Sequence, residues 1–241
     1  MAVLRLILRV LPLVWLAQAQ AAAPTIPPPQ DVPFPGVITL KVDATDTTRR
    51  IYRVQETVPA SPGPLTLLYP QWIPGNHSPT GPVPALAGLI ATAQGKRIEW
   101  QRDPVNMHAF HLEVPSGASA VELEFQFLTP QSESQGRVVM LPHLLGLQWN
   151  TVVLYPAGYT SKQIRVQASL TLPAGWNFGS ALDGAQREAN GVRFAPTTLE
   201  TLLDSPLFAG TNFKRVPLDA TPPPPVMIVS GIFDLLKVRW G

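Results

Sequence analysis

The chain has 241 residues, no cysteine, 28 prolines and a formal net charge of only +2. Lacking a thiol, it carries no disulfide, no thiolate nucleophile and no zinc–thiolate site. With so small a charge and no dense Lys/Arg cluster, it offers little to a phosphate backbone, and its 14% of charged residues beside so many prolines fits a β-rich domain with stiff loops.

Residues 1–23 read as a secretory signal peptide. Arg5 and Arg9 form a short basic start, residues 10–16 an apolar core, and Ala17, Ala19, Ala21 and Ala23 small-residue exits. The apolar run is shorter than the roughly 20 residues a spanning helix needs, and without a cysteine there is nothing to acylate. The expectation is export to the periplasm or beyond, leaving a mature chain from near Pro24. Loss of Arg5 and Arg9 leaves 16 basic and 16 acidic residues, so the pI of about 9.1 belongs mostly to the precursor. Residues 24–36 hold six prolines and read as an extended leader.

From Val37 onward, period-two runs predict strands over 38–44, 50–58, 65–69, 88–93, 96–102, 108–114, 120–128, 147–155 and 163–172. Turn chemistry separates them: Gln94-Gly95 suits a tight hairpin, and Pro115-Ser-Gly-Ala118 joins two more strands. The spacing predicts an all-β fold, an antiparallel β-sandwich over residues 37–220. One helical turn is expected over 197–203, with Thr197 as cap and Glu200 closing a capping box, and a strand over 212–218. Residues 221–241 read as a Pro-rich linker followed by an apolar tail, too short to span a bilayer and apolar enough to leave an exposed patch.

The most informative stretch is the loop Tyr69-Pro-Gln-Trp-Ile-Pro-Gly-Asn-His-Ser-Pro-Thr-Gly-Pro82. Four prolines stiffen it and two glycines allow tight bends. It either presents Trp72, Asn76 and His77 or crosses one end of the sandwich with Trp72 tucked inward. Two further segments, 102–107 and Gln148-Trp-Asn150, are similarly rich in amides and aromatics, as recognition surfaces are. Core filling is the reading for Trp100 and Trp149.

A catalytic constellation does not follow. His108 and His111 are three apart in a strand and fall on opposite faces, and no His-Glu-x-x-His pair or Gly-x-Ser-x-Gly elbow occurs. Ser78, Ser132 and Ser134 lie outside any such elbow. Glu122 and Glu124 share one exposed strand face, and Asp103, before a proline, organises a turn.

Four segments, Tyr69-Pro-Gln-Trp-Ile-Pro-Gly-Asn-His-Ser-Pro79, Arg102-Asp-Pro-Val-Asn-Met-His-Ala-Phe-His111, Leu147-Gln-Trp-Asn-Thr-Val-Val-Leu-Tyr-Pro-Ala-Gly158 and Leu203-Asp-Ser-Pro-Leu-Phe-Ala-Gly210, resemble the N-terminal domain of glycyl aminopeptidase-type zinc metallopeptidases. The resemblance covers about residues 31–220. It implies a β-sandwich packed against a thermolysin-like catalytic domain in which His-Glu-x-x-His and a later Glu hold zinc. That domain is not in this sequence, so the resemblance implies a non-catalytic partner with no cofactor of its own, and no zinc ligand carries over to any position. By analogy with related aminopeptidases, Gln71, Trp72, Asn76 and His77 would face the catalytic domain and its peptide substrate. From about Ser230 the tail departs from the family, which suggests a truncated or frameshifted gene product. The competing readings are a stand-alone exported module binding a peptide or glycan through the same loops, and a translated product without function.

Overall fold

The computed structural model describes residues 25–73, 75–130, 138–217 and 226–230. The expected signal peptide, the polyproline stretch at 222–225 and the tail beyond Ser230 lie outside the described residues, as do Ser132 and Ser134. Among the described residues no helix is long and apolar enough to cross a membrane.

The chain is mostly β-sheet. The largest sheet runs in the order β14 (Gln186–Glu188), β15 (Gly191–Arg193), β12 (Arg165–Thr171), β1 (Val37–Asp43), β2 (Ile51–Pro59), β8 (Ala120–Leu128), β4 (Leu86–Ala93) and β5 (Lys96–Ile98), with β16 (Thr197–Thr198) also on β12. Alternation explains it. Ile38, Leu40 and Val42, then Tyr52, Val54 and Val58, then Val121, Leu123, Phe125 and Phe127 all point to the core, while Lys41, Gln55, Glu122 and Glu124 point to solvent. Two four-stranded sheets close the core: β13 (Asn177–Ser180), β17 (Leu207–Gly210), β10 (Leu144–Leu147) and β9 (Val139–Leu141), and β11 (Tyr155–Pro156), β3 (Gly63–Leu68), β7 (Ala109–Val114) and β6 (Trp100–Arg102). One apolar cluster is shared by all three, and the buried Tyr52 hydroxyl on β2 donates to the Gly146 carbonyl on β10 across the layers at 3.0 Å. A hairpin of β18 (Phe213–Pro217) and β19 (Val226–Ser230) follows.

Every strand pairing among the described residues is antiparallel except β1 on β12, which is parallel. Gln94 (φ 53°) and Gly95 (φ 71°) form the expected two-residue turn between β4 and β5, the left-handed pair that matches strand twist.

Five details depart from the periodicity. Residues 96–102 are not one strand: the chain changes sheets at Glu99, β5 pairing with β4 and β6 with β7. The turn at 115–118 links strands of different sheets, since β7 pairs with β3 and β8 with β2 and β4. Residues 147–155 leave β10 at Leu147 and make a 3₁₀ turn over Trp149–Thr151. There Val152, Val153 and Leu154 are all buried, and a run buried on every side cannot be told from a strand by its pattern. The helix α1 (Leu199–Leu203) is capped by Thr198, which accepts from the Thr201 amide at 3.1 Å; this is one residue past the expected cap, so Glu200 closes no capping box. Lastly, the Pro-rich residues before Val37 are extended but docked. Gln30 bridges Tyr159, Asp31 accepts from the Gln163 amide at 2.9 Å, and Phe34 is buried edge-on against Tyr159.

Candidate functional site

Three of the segments singled out in the sequence meet at one end of the domain. Tyr69, immediately after β3, is buried; its amide donates to the His108 carbonyl at 2.8 Å and its hydroxyl to the Thr151 carbonyl at 3.1 Å. Burial pushes its phenol above the ordinary tyrosine value, so it remains a donor. Beyond it the loop closes on itself. Gly81 donates to the Gln71 carbonyl at 3.0 Å, Trp72 bridges Pro79, and the Asn76 amide group donates to the Thr80 hydroxyl at 2.5 Å. Gly81 is required here, because a Cβ would lie 1.9 Å from the Pro70 carbonyl oxygen. The His108 ring, itself buried, reaches the Gly81 carbonyl at 3.1 Å. These contacts tie the described part of the loop to itself and to His108.

The second segment is organised by Asp103. One carboxylate oxygen accepts from the Val105 and Asn106 amides at 2.9 and 2.7 Å, the turn expected of it, and the other meets His111 Nε2 at 2.9 Å. The amide bond from Asn106, the His111 ring and the amide of Val105 lower its pKa to about 2. His111 Nδ1 in turn meets the Thr66 hydroxyl at 2.9 Å across β3 and β7. This clamp leaves Val105 and Met107 exposed at the loop tip.

The third segment is the 3₁₀ turn. Trp149 is fully buried, edge-on to Phe194, while Trp100 is half-buried and donates to the Leu89 carbonyl at 3.0 Å. Asn150 is 1% exposed. Its amide oxygen and nitrogen are both buried without a hydrogen-bond partner among the described residues, a state that costs roughly 1–3 kcal/mol per group unless something answers it. Asn150, Gln148, Asn76, Thr80, Ile73 and Phe127 are among the residues lining a cleft of about 740 Å³.

Of the residues picked from the sequence, Asn76 lines this cleft. Trp72 is 64% exposed, His77 is exposed and Gln71 half-buried, and none of the three lines it. Asn150 was legible only as one amide among several. Glu56 was not singled out. It is 2% exposed in the core-facing row of β2, one carboxyl oxygen accepting from the Leu154 amide at 3.0 Å and the other without a partner. Burial pushes its carboxyl well above the ordinary glutamate value, against the smaller pull of the Leu154 amide. The parity of Tyr52, Val54, Glu56 and Val58 was the signal that would have found it.

The described residues include no group of three or more His, Asp or Glu placed to hold a metal ion, and His108 and His111 are spent on separate partners. The zinc of the full-length family does not fit this donor set.

In overall shape the chain is similar to an aminopeptidase N family protein from Idiomarina loihiensis, at 17% identity and a TM-score of 0.69, over 81% of this chain and 33% of that one. Structures of an M1 zinc metallopeptidase from Deinococcus radiodurans bound to a Tyr-Ser-Ala substrate (10% identity, TM-score 0.44, 78% of this chain and 44% of that one) and of yeast LTA4 hydrolase with bestatin (14%, 0.46, 78% and 29%) also match. The chain thus spans about a third of the length of the Idiomarina protein. No curated protein sequence matches significantly. The model of the Peptidase M61 N-terminal domain matches residues 39–211, a span that runs from within β1 to the end of β17 and takes in all three converging segments; the chain belongs to the Peptidase M61 N-terminal domain family.

Proposed function

We propose that this chain is the non-catalytic N-terminal domain of an exported, glycyl-aminopeptidase-like zinc metallopeptidase. It packs against a catalytic domain outside this sequence and forms one wall of the substrate cleft. The observation that carries the reading is the meeting of three family segments at one end of the domain, where Tyr69 bonds to both His108 and Thr151 and the first and third segments line a cleft of about 740 Å³. Gln71, Trp72, Asn76 and His77 lie on the projecting loop at that end and are assigned to the wall. Export rests on the signal-like residues 1–23. Hydrolysis needs an activated water, and a metal that supplies one lowers the barrier by several kcal/mol; with no donor set for it among the described residues, the chain alone acts as a scaffold.

The test uses a full-length member of the family with alanine at the four positions matching Gln71, Trp72, Asn76 and His77. The expected outcome is a fall in kcat/KM of tenfold or more with zinc content unchanged. Unaltered kcat/KM would remove this end of the domain from the cleft.

A further inference from the structure

We propose that the tip of the 102–109 loop, where Val105 and Met107 stand exposed, is a pre-formed plug for an apolar recess on the catalytic domain. The inference rests on the reading of this end as the face toward that domain and adds the side chains that hold the two together.

Val105 is 93% and Met107 49% exposed, yet the loop that shows them is closely tied. Asp103 accepts from the amides of Val105 and Asn106 and meets His111. Around it, the Asp103 amide donates to the Ala109 carbonyl at 3.0 Å, the Ala109 amide to the Asn106 carbonyl at 2.9 Å, and the His108 amide to the Asn106 side-chain oxygen at 3.1 Å. Arg102, its guanidinium 4.7 Å from the centre of the Phe110 ring, donates to the Met107 carbonyl at 2.6 Å. With its backbone committed at so many points, the loop holds both apolar side chains out in water. Groups fixed before binding lose little entropy when a partner covers them, and methionine is enriched at interfaces.

Size selects the occupant. Two side chains are too small a patch to hold a separate molecule, since stable complexes bury roughly 1,200–2,000 Å². A neighbour on the same polypeptide needs less, because its docking is intramolecular. The match to the Idiomarina protein covers only 33% of that chain, so most of it lies beyond the part of like fold. The tip also stands at the right end of the domain: His108, next to Met107, bonds through its ring to Gly81 and through its carbonyl to Tyr69, which joins the tip to the loop assigned to the cleft wall. Val105-Asn106-Met107 carries no charged side chain, and so suits an apolar recess in which a charge would lose its hydration.

Methionine oxidation by dilute hydrogen peroxide reports the contact, because a thioether becomes a sulfoxide where the oxidant can reach it. Mass spectrometry follows Met107 in this chain and the matching methionine of a full-length family member that has one, with Met140, 1% exposed, as the slow internal standard. The expected result is fast oxidation of Met107 in this chain, oxidation at least tenfold slower in the full-length protein, and at least threefold recovery of the rate there on the change matching Val105→Ser. Equal rates in the two proteins, or unchanged protection in a folded serine variant, would overturn the proposal. So would oxidation of Met107 that slows as this chain is concentrated, which makes a second copy the occupant. The wild-type comparison decides the matter even where the variant does not fold. Oxidation needs neither substrate nor zinc, so the two failures are told apart: missing protection beside a lowered kcat/KM in the test above leaves the cleft-wall reading standing, while protection beside an unaltered kcat/KM makes this end an interdomain face outside the cleft.

Discussion

The nine-stranded sheet and the loop end of this domain are held together by different forces. In the sheet, rows of Ile, Leu, Val and Phe alternate with polar residues, and stability comes from apolar area removed from water. At the loop end, side chains bonded to backbone do the holding: Tyr69 to Thr151, His108 to Gly81, Asp103 to Val105 and Asn106. Burial of greasy surface is directionless and tolerant, whereas a hydrogen-bond tether fixes a position. A surface that must present the same side chains each time is better built the second way.

Truncating the sheet core should cost the most. Leu40, fully buried on a central strand, should lose about 2–5 kcal/mol on replacement by alanine, read from the midpoint of urea unfolding. Tyr69→Phe should cost less, about 1–3 kcal/mol for the Thr151 carbonyl left without its donor, but it should broaden the NMR signals of the 69–82 loop, which Leu40→Ala should not. Equal loop broadening in both variants would erase the distinction.

Two carboxyls sharpen the contrast through pH. Glu56, in the sheet, has a folded-state pKa well above 4.5, so the folded state holds its proton more tightly and stability falls as pH rises from about 4.5 towards the folded value. Glu56→Gln keeps an acceptor for Leu154 and should flatten that decline. Asp103, at the loop end, is lowered from 3.8 to about 2; its contribution is present above pH 3.8 and lost as pH falls towards 2. Asp103→Asn should reduce the acid-side loss, to which Asp46, also lowered beside Arg53 and Arg49, still contributes, and should leave the decline due to Glu56 in place. Urea midpoints from pH 2 to 8 check both signs. The smallest effect belongs to the β4–β5 turn: Gln94→Asn, better suited to φ 53°, should stabilise by less than about 1 kcal/mol, seen as a small rise in Tm.

The same division governs what the sequence disclosed. Strands β1, β2 and β8 were legible because a sheet with one wet face writes its geometry as alternation. The short strands β9, β13, β14 and β15 were not, since three or four residues carry too little period to stand above composition. The break at Glu99 was hidden because both halves of 96–102 alternate correctly while serving different sheets. At the site, Asp103 betrayed its role through the following proline, and Asn76 through its loop. Asn150 looked like any amide in an apolar run, because a missing partner is a property of three-dimensional surroundings and leaves no local trace.

The parallel pairing of β1 with β12 reaches beyond the finished structure. Leu40 and Ser169, joined across that pair, are 129 residues apart in the chain, and the segment before β1 also docks onto residues 158–163. On the ribosome, β1 emerges first and waits for most of the domain before one of its two neighbours exists. Such long-range closure makes folding slow and keeps a hydrophobic strand edge open meanwhile. The assembly of this domain is therefore timed by its last third, and a nascent chain stalled before residue 165 presents β1 to whatever chaperone or neighbouring strand arrives first.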